Sequence, residues 1–396
     1  MLATIISSVT TILTFIGLFY FIAALWSARA FMRRPRSTQD FTPPVSILKP
    51  VKGLDPEMYE AFASHCRQQY PGEYEILFGA SSMDDPAVPA IRQLQAEFPE
   101  RSIRLVLCPE KLGLNGKISN VAQMAEEARY DYLIVNDSDI RVSPHYLARI
   151  LRDFAAPPRG ETSPGKAVGM VTAPYRGRVH GTLSSKLEAL GIATDFFPGV
   201  LIALKLDGEI RFGLGSTLAV SREALNAIGG FTPLADALAD DYELGLRMAK
   251  AGFAVTLSRE VVETSVPAYD PAGYFDHQLR WARGIRDSRK AGYVGLIFTF
   301  GLPWAIFNVF ATGFRIDSLA LLSLTCLARV TLALAVGVGI LGDGQVLRDI
   351  WLLPVRDLAA MWVWIWSFAS NTVTWRGEKF LLKDGKLEKQ GVGDRV

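Results

Sequence analysis

Tyr132-Leu-Ile-Val-Asn-Asp-Ser-Asp-Ile-Arg141 is the stretch that decides the fold. It is a short apolar run ending in two carboxylates, and such a run reads as a strand buried on both faces of a parallel sheet. Side chains of extended chain repeat every two residues, so Asp137 and Asp139 are expected to project to one side at the strand's carboxyl end. Open α/β sheets bind their ligands at that end. Two acids there offer hard oxygen ligands to a divalent cation and, through it, to the diphosphate of a nucleotide sugar. Acidic pairs after strands are also ordinary solvated turns, and the strand alone supports both readings about equally.

Upstream, short apolar runs alternate with helical patterns from Pro43 onward, the signature of a mainly parallel sheet with covering helices. Val45–Leu48, Tyr74–Gly79 and Ile103–Leu107 read as strands. Asp55, with Pro56 behind it, is expected to cap a helix reaching Gln69. Asp84 and Asp85 stand before Pro86, either as a plain helix N-cap, which the stretch by itself favours, or in the crevice where a nucleotide base would lie. Lys111-Leu-Gly-Leu-Asn-Gly-Lys117 places two lysines and two glycines in a loop before a helix. Lys117 can meet a phosphate there, although the spacing matches no P-loop.

Downstream, Ala156–Lys166 reads as an exposed Pro/Gly-rich loop and Val168–Pro174 as a further strand. Phe196–Leu204 is apolar but too short to span a bilayer, so it is either core or an interfacial surface. Gly213–Thr217 is a turn ahead of a strand at Leu218–Val220, and Asp240 and Asp241 lie in the first turn of a later helix. Capping and the helix dipole would select acids there without any catalytic need. In Tyr274–Arg286 the helical spacing puts His277, Arg280 and Trp281 on one face. A guanidinium can clamp a diphosphate and an indole can wall a sugar. Taken alone, the segment reads better as a basic helix turning Arg280, Arg283 and Arg286 to lipid headgroups.

The chain has 396 residues, 49% of them hydrophobic, with a net charge of +2. That is enough for a sizeable core plus membrane segments, and too little charge to argue for nucleic acid as a partner. Cys66, Cys108 and Cys326 have neither disulfide nor zinc spacing, which suits a reducing compartment. Leu2–Trp26 carries no charge and reads as a spanning helix rather than a cleaved signal, because no Lys or Arg precedes it. Arg29, Arg33, Arg34 and Arg36 follow it, so the positive-inside rule puts the next domain in the cytoplasm. Ala291–Phe314, Ser318–Leu341 and Leu358–Trp375 are each near spanning length. The tail beyond them carries Arg376, Lys379, Lys383, Lys386, Lys389 and Arg395, which assigns it to the cytoplasm and requires that one of the three does not cross. The expected organisation is a span at 1–28, a catalytic domain at 43–290, a membrane region at 291–375 and a basic tail at 376–396.

Together these pieces resemble the ceramide glucosyltransferase family, membrane-bound relatives of the inverting GT-A glycosyltransferases. The resemblance runs through Val45-Ser-Ile-Leu-Lys-Pro-Val-Lys-Gly-Leu-Asp-Pro56, Asp84-Asp-Pro-Ala87, Asn136-Asp-Ser-Asp-Ile-Arg141, Ala239-Asp-Asp-Tyr242 and Arg280-Trp281, in the family's order. It implies a GT-A fold, with Asp85 near the nucleotide, Mg²⁺ or Mn²⁺ on Asp137 and Asp139, Asp241 as the base, and Arg280 and Trp281 closing the (Gln/Arg)-x-x-Arg-Trp motif. His277 stands where Gln or Arg is usual. The implied donor is a UDP-sugar, UDP-glucose or a close relative, and the implied acceptor is a hydroxyl of a ceramide-like lipid in a bacterial inner membrane. Relatives that glycosylate hopanoids from UDP-GlcNAc or a similar donor share these motifs. A processive polysaccharide synthase would carry Gln in place of His277 and many more spans, and an inactive scaffold would have no reason to keep all the acids with the Arg-Trp pair.

Overall fold

The computed structural model describes residues 1–35, 39–155, 165–375 and 378–389. Most of the expected Ala156–Lys166 loop lies outside them, as do Arg36, Arg376 and Arg395. Seven strands form the central sheet: β1 (Val45–Pro50), β2 (Tyr74–Ala80), β3 (Ser102–Leu107), β4 (Tyr132–Val135), β5 (Val168–Thr172), β7 (Leu218–Ser221) and β8 (Ala254–Leu257). Their order is β3-β2-β1-β4-β7-β5-β8, parallel throughout except that β7 runs against both of its neighbours. Alternate residues feed two cores. Leu48, Leu77, Leu133 and Val135 pack on one face, and Ile47, Ile76 and Ile134 on the other, which is why these strands are continuously apolar. The first core also takes Phe21, Ala24, Ala28 and Phe31 from the N-terminal helix and Leu332 and Val336 from a late one, so apolar helices and sheet share packing.

Several local expectations shift. The Asp-bearing strand stops at Val135, and Asn136–Ile140 is a turn closed by the Ile140 N–H on the Asp137 carbonyl. Turn geometry, not strand alternation, therefore aims Asp137 and Asp139. The first covering helix is Met58–Cys66, entered through Glu57 in a left-handed conformation (φ 55°) instead of through a cap at Asp55. Val168–Pro174 ends early, and β6 (Tyr175–Val179) follows, paired in parallel with β9 (Val262–Val266) as a separate two-stranded sheet. Neither strand was expected, because Tyr-Arg-Gly-Arg-Val and Val-Glu-Thr-Ser-Val are too polar to read as core strands.

Among the described residues three helices are long and apolar enough to cross a membrane: Leu2–Met32, Leu183–Asp207 and Ile316–Val338. Lys290–Thr299 and Gly301–Ala311, bent by 51° at their junction, make a fourth if they act as one span. Leu183–Asp207 contains the Phe196–Leu204 patch and is mostly covered by protein, with Phe197 against Phe31, so that patch is core. The N-terminal helix crosses Gly301–Ala311 at a glycine contact, where a Cβ on Gly17 would lie 2.2 Å from the Gly301 Cα. Asn308 accepts from Thr10 and Thr11 across the same interface.

Overlapping the last apolar stretch, Leu358–Trp375, the helix Leu353–Ser367 has 15 residues and a length of about 22 Å, short of the roughly 30 Å of hydrocarbon a span must cross. Its continuation is not membrane helix. Thr372–Trp375 forms β10, which pairs with β11 (Glu378–Lys383) and β12 (Lys386–Lys389), so a boundary between Trp375 and the tail would cut a sheet. That sheet packs Val373, Phe380, Leu382 and Leu387 on Leu238 and Leu114 of the α/β domain. The Leu387 N–H donates to the Asp236 carbonyl and the Leu238 N–H to the Gly385 carbonyl.

Candidate active site

The turn after β4 is held from below by Asn136, which is fully buried. Its amide donates to the Ser216 carbonyl (2.8 Å), Thr217 Oγ1 (3.1 Å) and the Tyr146 hydroxyl (3.0 Å), and its oxygen faces His65 Nε2 at 3.3 Å. Asp137 and Asp139 thus start from a fixed base. Lys49, buried in β1, donates from Nζ to the Asp137 carbonyl at 2.9 Å. Burial pushes that ammonium down to about 7, with Asp139 and Asp137 opposing the shift. Ser138 Oγ donates to the Asp55 carboxylate. After the turn Arg141 pairs with Glu263, which sets β9 alongside and lets Thr264 Oγ1 donate to Asp139 Oδ2 at 2.5 Å.

Lys117, expected in a loop, lies in the first turn of the helix Gly116–Glu127, which Asn115 caps, and it does not stand free for a phosphate. Its Nζ lies 2.7 Å from Asp137 Oδ1 and 3.5 Å from Asp240 Oδ2, tying the two acid pairs together. Burial and then Asp137 push the Asp139 carboxyl up to about 7. Among the described residues no group of three or more His, Cys, Asp or Glu could hold a metal. Two carboxylates at a turn, one of them paired with Lys117, fit a cation that a diphosphate helps to coordinate, and do not fit an all-protein cage.

Asp240 and Asp241 begin the helix Asp240–Lys250, whose N-cap, Ala239, makes no side-chain capping bond. Asp240 is 8% exposed and turned inward, with Oδ1 at 3.4 Å from Asn115 Nδ2. Asp241 is half-buried. Its Oδ1 accepts from the Tyr242 N–H (2.8 Å), and its Oδ2 stands over Gly215, where a Cβ would lie 3.2 Å away. Burial and then Asp240 push its carboxyl up to about 6, against the offsetting charge of Lys117. Asp85 accepts from the Gly53 N–H (3.0 and 3.1 Å) and the Ala87 N–H (2.9 Å), joining the loops that leave β1 and β2. Gly53 takes φ +74°, a conformation glycine adopts without strain. Asp84, beside it, is exposed.

The third group rides on Pro271–Ser288, capped by Asp270, which accepts from the Gly273 N–H. His277 Nδ1 lies 2.9 Å from Glu188 Oε2, and Gln278 donates to the same oxygen at 3.3 Å. The imidazole stacks on Tyr269 (5.2 Å) and tilts against Trp281 (5.2 Å); Trp281 meets Phe196 (6.4 Å), and Phe196 meets Tyr175 (5.6 Å). Burial, with Asp241, Glu188, Asp137 and Asp139 around it, raises the Tyr175 phenol well above its ordinary value. Tyr175 thus brings the end of this aromatic wall near Asp137, Asp139 and Asp241. Tyr269 is shifted the same way by burial, with Glu188, Arg280 and Asp139 near it, and the Arg280 guanidinium also sits 6.0 Å over the Trp375 ring.

The lipid-facing reading of this helix fails for two of its arginines. Arg283 donates to the Thr372 carbonyl, and Arg286, 9% exposed, donates to the Ser367 carbonyl and Asn371 Oδ1, so both clamp the segment entering β10. Sequence reasoning missed Lys49, Tyr175, Glu188, Thr264 and Tyr269. Lys49 carried a signal, a lysine inside a buried strand, and so did Glu188, an acid in an apolar helix. The other three carried none, because their partners come from distant segments.

The family model described as glycosyl transferase family 21 matches residues 9–388, nearly the whole chain. The chain belongs to glycosyltransferase family 21. This family 21 protein is 25% identical over 359 residues to ceramide glucosyltransferase 3 of Caenorhabditis elegans, covering 87% of this chain and 73% of the relative. It is 29% identical over 180 residues to a ceramide glucosyltransferase of Pyricularia oryzae, covering 40% and 36% respectively. It is thus a ceramide glucosyltransferase-like enzyme. Among solved structures, a mannosyltransferase from Pyrobaculum calidifontis, in complex with GDP-mannose and Mn²⁺, superposes with a TM-score of 0.52 at 18% identity, over 91% of this chain and 99% of that one. The shared fold is GT-A.

Proposed function

We propose that this family 21 enzyme transfers glucose from UDP-glucose to a hydroxyl of a ceramide-like membrane lipid, inverting the anomeric configuration. The observation that carries the reading is Lys117, which bridges Asp137 and Asp240 and so ties the Asp137–Asp139 pair to the helix start that bears Asp241, with Tyr175 of the aromatic wall near Asp137, Asp139 and Asp241. A donor diphosphate at the first pair and an acceptor hydroxyl at Asp241 then share one aromatic-walled space. Asp85 and the Gly53 loop it fixes border the base, with Asp84 at the crevice rim. Asp137 and Asp139 would hold Mg²⁺ or Mn²⁺, and such an ion, when bound, would supply Lewis-acid stabilisation to the leaving nucleoside diphosphate. Lys117 adds a fixed positive charge beside the same phosphates, and Arg280 a guanidinium. Asp241 Oδ2 takes the proton of the attacking hydroxyl, the role of a general base within reach. Trp281, Phe196 and Tyr175 exclude water, and His277, fixed by Glu188, lines the acceptor side.

For topology, we propose that Leu2–Met32 crosses the membrane, that the bent pair and Ile316–Val338 form a hairpin, and that Leu353–Ser367 lies in the interface. The catalytic domain then sits with the tail in the cytoplasm of a bacterial inner-membrane protein. The sheet of β10, β11 and β12 docked on Leu238 supports this arrangement.

The test uses the full chain in lipid nanodiscs with UDP-glucose, a short-chain ceramide and Mg²⁺ or Mn²⁺. A β-glucosylceramide product, identified by mass spectrometry and NMR, is expected. An α-linked product, or UDP-glucose hydrolysis with no glycolipid, would overturn the reading.

A further inference from the structure

The helix Leu183–Asp207 joins the aromatic wall to the apolar helices, and at its centre, Ile192–Phe196, it winds as a π-turn. Such turns cluster at functional sites, because the extra residue re-aims side chains and loosens carbonyls. Here Ile192, Ala193 and Thr194 stay buried, as does Phe197, while Asp195 and Phe196 come out to half-exposed positions. The turn is held in that state. Arg329 donates to the Thr194 carbonyl (2.9 Å) and Thr194 Oγ1 (3.1 Å) while it binds Asp357 through two 2.8 Å bonds.

The two residues turned out face complementary surroundings. The Phe196 ring borders Tyr175 and Trp281, the wall of the candidate active site. Asp195 Oδ2 pairs with Arg356 Nη1 at 2.9 Å, and the Asp195 side chain remains 42% exposed. Its other oxygen accepts no hydrogen bond among the described residues. Successive turns of the helix extend the path in both directions. Toward the active site, the Arg356 guanidinium covers Gly191, where a Cβ would lie 2.7 Å from Nε, and Glu188 beyond it holds His277. Toward the N-terminal apolar helix, Gly199 faces Tyr20, whose hydroxyl lies at contact distance, 3.8 Å, from the position of a Cβ.

We infer that Asp195, oriented by Arg356, is the acceptor-headgroup subsite, and that it accepts a hydrogen bond from an amide N–H or second hydroxyl of a neutral membrane lipid. The inference rests on the transferase reading above and names what selects its acceptor. A half-exposed carboxylate at this place favours heads rich in donors and repels phosphate-bearing ones. The reacting hydroxyl then reaches past Phe196 toward Asp241, while the lipid's chains lie along the apolar helices.

The experiment uses the full chain in nanodiscs, UDP-glucose, and a short-chain ceramide bearing a photoactivated diazirine. Asp195→Asn keeps the shape and removes the charge; Arg356 retains Asp357 at 3.9 Å, so the variant keeps a partner for its buried cation. The KM for ceramide is expected to rise about tenfold, the difference between a charge-assisted and a neutral hydrogen bond, with the KM for UDP-glucose moving little. Photocrosslinks are expected in the peptides around Asp195 and Arg356 of the wild type, and weaker in Asp195→Asn. An unchanged ceramide KM, or crosslinks confined to other segments, overturns the subsite while leaving the transferase reading in place. A wild type that crosslinks ceramide at Asp195 yet glycosylates no lipid supports the subsite and overturns the transferase reading.

Discussion

Lys117 stands between the two acid pairs of the site, 2.7 Å from Asp137 Oδ1 and 3.5 Å from Asp240 Oδ2. A lysine that the sequence offers as a phosphate ligand is thus also the electrostatic link between the donor side and the base. Its charge lowers the pKa of Asp241, which burial and Asp240 hold up at about 6.

A pH dependence follows from that arrangement. A base must be ionised, so kcat/KM is expected to fall as pH drops through about 6, the value to which the Asp241 carboxyl is pushed. Lys117→Met removes a cation that lowers this pKa, so the acidic limb moves to higher pH and the KM for the donor rises. Rate–pH profiles of the two proteins measure both. An acidic limb at the same pH in Lys117→Met would separate Lys117 from the base.

Asp241→Asn is expected to retain the fold and donor binding while transfer drops by at least about 100-fold, the low end for loss of a general base. Asp240→Asn should do the reverse. Asp240 is buried against Asn115 and Lys117, so its loss lowers the melting temperature more than the rate. Acids serving only the helix dipole would instead each cost roughly 0.3–1 kcal/mol of stability with turnover intact. Melting curves and initial rates on the same preparations decide.

Asp139 makes a prediction about stability without metal. Its carboxyl is raised to about 7 in the folded chain, above the ordinary value it regains on unfolding. A raised acid stabilises the fold in its protonated form, and that contribution is lost as pH climbs from the unfolded value through about 7. In EDTA at pH 7.5 or so, Asp139→Asn should therefore melt higher than wild type while losing cation-dependent UDP-glucose binding. Asp137→Ala should lose the same binding. Wild-type donor affinity in both variants, with metal present, would reduce these acids to turn residues.

The docked tail predicts the sidedness of the chain. A reporter fused after Val396 and active only in the cytoplasm should give signal, because β11 and β12 pack against Leu238 on the catalytic domain. Phe380→Ala, which empties a buried site in that sheet, is expected to cost about 3–5 kcal/mol locally and to slow transfer by loosening the Asp236–Leu238 loop. Protease accessibility of the tail in sealed vesicles measures its side, and an exclusively external tail would refute the arrangement.

The sequence by itself determined what depends on local pattern. Continuous apolar runs such as Tyr132–Val135 marked strands buried on both faces, the uncharged Leu2–Trp26 marked a long apolar helix, and the ordered aspartates with Arg280-Trp281 marked the family. Tertiary structure alone decided what depends on partners far along the chain. β6 and β9 exist because a polar pair of strands, 87 residues apart at Arg176 and Glu263, complete each other, and no local periodicity announces that. Asp240 and Asp241 are equivalent as letters. One is drawn inward by Asn115, 125 residues earlier, and the other is left over Gly215. The apolar stretch ending at Trp375 has near-spanning composition, yet its last residues form a strand, because Arg283 and Arg286 bind its backbone and the tail pairs with it. Local composition sets what a segment can be, and burial against distant groups sets which of those options has the lowest free energy.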